Sequence, residues 1–150
     1  MEISMNRLVI HTLIPAIYLG ASLAACAPAA VPVIGSERDA VLAFSEPKTD
    51  AQLSALASGD YTAFIKDYDD AMIKATTESS FVQLRALLSS KVGAYQSREI
   101  TSVLQQGSYN LVIYNAKFDL DDQVMMRVVF ETEGDHKIAG LWFDSPKLRQ

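Results

Sequence analysis

Cysteine is nearly absent from this chain: Cys26 is the only one in 150 residues. No disulfide can form within the chain, and no thiolate metal site can be assembled. Histidine is almost as scarce, with His11 in an apolar opening stretch and His136 among turn residues. A lone turn imidazole has no second histidine or cysteine with which to share a metal, so no metal is expected and His136 should be exposed. Ser-His-Asp catalysis finds no Gly-x-Ser-x-Gly elbow, and no glycine-rich loop is arranged to cradle a phosphate. No cofactor is expected. Basic residues do not dominate either: 13 Lys and Arg stand against 18 Asp and Glu, for a net charge of -5. Nucleic acid is a poor partner for such a surface.

What is present begins with an apolar run from Leu8 to Leu23, interrupted by His11, Thr12, Pro15 and Gly20. It has the length and the small-residue ending of a signal peptide. Leu23-Ala24-Ala25-Cys26 then resembles a bacterial lipobox, whose small residues let a peptidase hold an extended backbone before a lipid-bearing thiol. The chain is therefore expected to divide into a removed leader over 1–25, a lipidated Cys26 with a tether over 26–35, and one domain over 36–150. Met5-Asn6-Arg7 makes a more ordinary positive start than Met1 does. An uncleaved membrane helix is the alternative, although the run is barely long enough to span a bilayer. The resemblance implies an extracytoplasmic, membrane-anchored product. Ala27, where an aspartate would signal inner-membrane retention, implies the outer membrane in a host that has one. Pro28 and Pro32 discourage helix, so the tether reads as a short extended stand-off.

Nearly half of the residues, 49%, are apolar, and the charges are mixed in sign, as in a folded domain that needs no staples. Ser36 is placed to cap a short helix ending before Pro47, and Asp50 another that stops at Gly59. From Tyr61 to Ala75 the apolar residues Tyr61, Phe64, Ile65, Tyr68, Met72 and Ala75 follow one helical face. Asp67, Asp69 and Asp70 fall away from that stripe and read as its solvated side. A further helix has Ser80 and Gln83 at capping-box spacing, a buried stripe of Phe81, Leu84, Leu87 and Leu88, and a stop at Gly93. Strands follow over Arg98 to Gln105, Tyr109 to Phe118, Val124 to Thr132 and Ile138 to Asp144. Asp119-Leu120-Asp121-Asp122 lacks the glycine and terminal glutamate of an EF-hand loop and reads as a charged turn. Helices first and a strand meander afterwards predict an α+β domain, with N-terminal helices packed on an antiparallel sheet.

The stretch from about Leu53 to Pro146 resembles the domains of unknown function placed in the nuclear transport factor 2-like superfamily. The residues carrying the likeness are Gly59-Asp60-Tyr61, Phe64, Asp67-Tyr68-Asp69, Phe81, Leu87, Lys91-Val92-Gly93 and Lys137 to Phe143. The resemblance implies a cone, in which a curved sheet wraps the helices, often with a pocket inside and a dimer contact on the sheet's other face. Candidate pocket residues are Tyr61, Phe64, Tyr68 and Trp142, suited to a small apolar ligand. The strand pattern points to the second face independently. Val124, Met126, Val128 and Phe130 fill one side of their strand, while Met125, Arg127 and Val129 keep the other partly apolar. Those three are the candidate dimer face. The expectation is a lipid-anchored envelope module without catalysis, homodimeric or bound to an envelope protein through its sheet. The alternative is a ligand-binding, even enzymatic, pocket in the cone.

Overall fold

The computed structural model describes residues 28–150. The leader expected over 1–25 and the lipidation site expected at Cys26 lie outside them. The elements are β1 (Val31–Pro32), α1 (Gly35–Ser58), α2 (Tyr61–Phe64), α3 (Asp70–Ala75), α4 (Glu78–Lys91), β2 (Tyr95–Gln106), β3 (Tyr109–Phe118), β4 (Val124–Glu131) and β5 (Ile138–Asp144). The strands form one antiparallel sheet in the order β1-β2-β3-β4-β5, with β1 and β5 at its edges. The result is an α+β fold, a curved unclosed sheet with helices on one face, consistent with the nuclear transport factor 2-like cone.

Side chains alternate across the strands, so period two decides what each face buries. Val112, Tyr114, Ala116 and Phe118 of β3, with Val124, Met126, Val128 and Phe130 of β4, point inward and are almost completely buried. From the helical side, α1 contributes Val41, Leu53, Ala55 and Leu56, α2 Phe64, and α4 Phe81 and Leu88. A bulge sets Phe130 opposite Ile138 while Val129 faces Gly140. That extra residue, Ala139, moves Ile138 to the inner face beside Leu141 and Phe143, whereas strict alternation sorts it with Trp142.

Several expectations about the helices are corrected. Pro47 does not end a helix; it lies within the 24 residues of α1. Its ring removes the N–H that Ala43 would receive, but buried residues before it (Val41, Ser45) and after it (Thr49, Gln52, Leu53) lie at helical spacing against the sheet. Packing along the whole face holds one axis where propensity alone would break it. Gly59 does close α1, in the left-handed region at φ 80, with its N–H donating to the Ala55 carbonyl. A Cβ there would also come within 2.7 Å of Arg85 Nη1. Gly59→Ala should therefore cost about 1–2 kcal/mol, from the positive φ and the displaced arginine together, as read from urea denaturation midpoints.

The stretch Tyr61 to Ala75 is two short helices rather than one. Asp60 caps α2 by accepting from Ala63 N, and Asp69 caps α3 by accepting from Met72 N at 2.6 Å. Between them Tyr68 forms a parallel bridge with Ile138, as Ile138 N donates to Asp67 O and Asp69 N to Ile138 O. The acidic cluster is thus a link that covers the start of the β5 edge, not one solvated helix face. For α4 the N-cap is Thr77, whose hydroxyl accepts from Ser80 N. Leu87, expected in the buried stripe, is 42% exposed.

The tether is also more than a stand-off. Val31 and Pro32 pair with Gln105 and Leu104, Val33 N donates to Val103 O, and Gln106 Nε2 donates to Pro28 O at 2.9 Å. From Pro28 onward the chain is laid along the sheet edge.

Candidate functional site

Three regions hold polar chemistry or open surface, and the elements around them explain each one. The first lies between α1 and the sheet. Successive inward turns of α1 place Ser45, Thr49 and Gln52 in the interior, each at most 3% exposed. Tyr114, at the centre of β3, donates its hydroxyl proton to Glu46 Oε1 at 2.6 Å. That proton being used, the 3.3 Å contact with Thr49 Oγ1 has the threonine donating. Arg98 reaches from β2 to Asp50 and, at 3.1 Å, to Glu46 Oε2, with its guanidinium 5.1 Å from the Tyr114 ring centre. Burial alone would lower the Arg98 pKa, but Asp50, Tyr95 and Glu46 outweigh it and the group is held more firmly charged than a free arginine. The cluster has two carboxylates, a phenol and a cation in contact, paired with one another except at Arg98 Nε. Ser45 Oγ, Gln52 Nε2 and Arg98 Nε are the buried side-chain atoms left without a partner here.

Tyr114 and Tyr68 share a consequence of burial. For Tyr114 desolvation raises the pKa and the Glu46 hydrogen bond adds to the rise; for Tyr68 desolvation raises it with Gln52 opposing. The unfolded phenol ionises near pH 10. Below that pH the stability linked to both groups is fully present, and it is lost as pH climbs toward their higher folded values. Unfolding should become easier by about 1.4 kcal/mol per pH unit for each tyrosine above roughly pH 10. Denaturant midpoints across that range check this, and Tyr114→Phe should reduce the slope.

The second region is an apolar cleft where α4 leans away from α1 and the sheet. Leu53, Leu56 and Ala57 form one wall, Val82, Ala86 and Ser89 the other, with Tyr95 and Phe118 at its floor, and its volume is about 450 Å³. Arg85 stands at the rim. Its Nε donates to Leu56 O at 2.8 Å and its Nη2 to Ala57 O at 3.2 Å, so the cation closes the carbonyl end of α1. A smaller polar recess beside α3 is bounded by Tyr68, Asp69, Asp70, Glu131 and Lys137.

The third region is the sheet face that no helix among the described residues covers. Register places Leu111 and Ile113 of β3 beside Val129 and Arg127 of β4, and those beside Gly140 and Trp142 of β5. Trp142 is 45% exposed, Met125 41% and Tyr109 43%. The Trp142 indole lies flat over Gly140, where any Cβ would come within 2.1 Å of the ring. Arg127 stacks on that indole, its guanidinium carbon 4.4 Å from the ring centre, and its Nε has no acceptor. An apolar face with an oriented cation is the outcome.

The candidate pocket residues separate. Phe64 and Tyr68 meet at 5.5 Å between ring centres, and Phe81 joins Phe64 at 4.8 Å and Tyr61 at 5.8 Å, all within the core. The Tyr61 hydroxyl donates to Thr76 O at 2.7 Å. Trp142 stands on the opposite face and cannot join them. Met125, Arg127 and Val129 do share one face, as the alternation requires. His136, expected to be exposed, is half-buried: its ring stacks on Phe44 at 3.9 Å and Nδ1 lies 3.1 Å from Glu131 O. The cleft with Arg85 was not foreseen, because its walls come from two helices far apart in sequence and Phe118 counts as core in any sequence pattern.

Among the described residues no group of three or more His, Cys, Asp or Glu is placed to hold a metal, and no helix is long and apolar enough to cross a membrane. No curated protein and no solved structure matches the chain. A family model, described as a protein of unknown function (DUF3887), matches residues 50–141, from the middle of α1 into β5. With more than half of its length, including the core and most of the sheet, covered by that model, the chain belongs to the DUF3887 family.

Proposed function

We propose that this protein is a non-catalytic binding module of the cell envelope, held at a membrane by a lipid on Cys26 and paired with a second copy through the uncovered face of its sheet. The cone-like architecture also supports placing it in the nuclear transport factor 2-like superfamily. The observation that carries the proposal is the face on which Met125 and Trp142 are exposed and Ile113 and Val129 partly so, in which Arg127 is stacked and its Nε lacks an acceptor. Large exposed apolar side chains gathered on one face, rimmed by polar groups, mark interaction surfaces. A self-complementary contact across a twofold axis is the simplest way to cover such a face. Sedimentation of the chain beginning at Cys26, unlipidated, tests it. A dimer that Met125→Glu converts to a folded monomer supports the pairing, and a monomer at high concentration removes it.

A second reading rests on the cleft. Its apolar walls with the Arg85 cation at the rim suit a small apolar molecule bearing one negative charge. Anilinonaphthalene sulfonate has that chemistry. Ala86→Phe, which fills the cleft from α4, should weaken its binding by about tenfold, or roughly 1.4 kcal/mol, in a fluorescence titration. Equal affinity for both proteins would place the dye elsewhere.

A further inference from the structure

The position of the first described residues bears on how the domain meets its membrane. Pro28 is bonded through its carbonyl to Gln106, and its ring lies against Gly107, where an added Cβ would be 3.2 Å from Cγ. Gln106 ends β2, and Gly107 and Ser108 form the turn at the tip of the β2–β3 hairpin. Cys26 precedes Pro28 by only two residues, so any membrane attachment made through it is separated from the hairpin-bound Pro28 by a single residue, Ala27. Whatever attaches to the membrane through Cys26 must bring the hairpin with it.

The hairpin has the composition such a position requires. From Ile100 to Ala116 the sequence carries no charged residue, and neither does the stretch from Ala27 to Ser36 that lies along it. Bringing these strands to a lipid surface therefore desolvates no charge of their own, the most costly part of approaching a bilayer; the carboxylate that must stay in water is Glu131, which pairs across from Tyr109 on β4. At the tip Tyr109 is 43% exposed, and along β1 Val31 is 54% exposed. A tyrosine there has the amphipathic ring favoured at the level of lipid headgroups. The opposite end of the sheet contrasts with this. There the β3–β4 turn carries Asp119, Asp121 and Asp122. The neighbouring β4–β5 turn, tied to the hairpin where Thr132 N donates to Ser108 O, contains Glu133 and Asp135. The uncharged corner is thus the one formed by β1, β2 and β3, and a tilt toward it leaves the acidic turn in water.

We infer that the corner formed by β1 and the β2–β3 hairpin, with Tyr109 at its tip, is the surface by which this domain rests on a phospholipid membrane. The inference rests on the anchoring at Cys26 and adds the orientation that follows from it. The full chain, expressed with its leader and carrying either Ser108→Cys or Asp122→Cys, is reconstituted into phosphatidylethanolamine–phosphatidylglycerol vesicles and labelled with a thiol-reactive fluorophore. With the Cys26 sulfur occupied by lipid, the introduced thiol is the one that reacts. Headgroup spin-labelled lipid should quench the Ser108→Cys label at least about threefold more than the Asp122→Cys label, because β3 separates the sites by roughly 30 Å. Equal quenching, or stronger quenching at Asp122→Cys, in protein that floats with the vesicles overturns the orientation while leaving the anchor intact. Protein that fails to float, with Cys26 free of lipid, removes the anchor and the orientation together.

Discussion

Phe81→Ala should lower the free energy of unfolding by about 3–5 kcal/mol, the range for emptying an aromatic side chain from a closed core. Phe81 is 2% exposed and is the point at which α4 is fixed to the other helices, its ring meeting those of Phe64 and Tyr61 and lying under Arg85. No single small movement fills the space it leaves, because the neighbouring rings belong to a short helix pinned by its own cap. Leu87, six residues later on the same helix, provides the comparison. Being 42% exposed, it should tolerate alanine with a change of at most about 0.5 kcal/mol. Urea unfolding of both variants, with slopes compared as well as midpoints, separates a core defect from a change in the denatured state. A loss below about 1 kcal/mol for Phe81→Ala would mean that α4 is not seated as described.

The second large effect concerns association. Trp142→Ala should weaken pairing of two copies by about 2–4 kcal/mol, roughly 30- to 1000-fold in the dissociation constant, as expected when a central aromatic anchor is removed. The monomer should change little in stability, since Trp142 contributes nothing to the inner core. Its indole rests on Gly140 and under Arg127, so the side chain is already ordered before a partner arrives. Less rotamer freedom remains to be lost on binding, which is why the effect should be large for one residue. Arg127→Ala should weaken pairing less and make it less sensitive to salt. Sedimentation across a concentration series measures each constant. Unchanged constants for Trp142→Ala, with pairing still present, would move the contact to another surface.

The strands were legible because period two is a local signal that burial on one face enforces residue by residue. Tyr109 to Phe118 and Ile138 to Asp144 were expected with the bounds they have, and Val124 to Thr132 runs one residue past the end of β4. The bulge at Ala139 was not legible, since nothing near Ile138 breaks the pattern. The helical half was read less well for a related reason. Tyr61, Phe64, Ile65 and Tyr68 suit one helical face, yet two short helices with an extended link also bring their side chains to the core. What selects the second arrangement is the pairing of Asp67 and Asp69 with Ile138, about seventy residues away and invisible to any local rule. Pro47 misled in the same direction: its local cost is real, but the face that α1 presents to the sheet extends across it. Of the candidate sites, the apolar face emerged directly from alternation in β4. The aromatic pocket did not, because aromatic residues at helical spacing fill a core as readily as they line a cavity.

The grip of Gln106 on Pro28 sets a mechanical limit. A lipoprotein on a long flexible tether can sweep a wide volume and meet partners far from its bilayer; were this chain anchored through Cys26 as proposed, a single residue would separate the anchor from Pro28. Its working height would then be set by its own body, in which the ten residues of β3 span about 33 Å. The acidic turn at Asp119 to Asp122 marks the ceiling of what it can touch. In that proposed arrangement, anything it recognised would have to come down to that layer, or be carried within the same membrane.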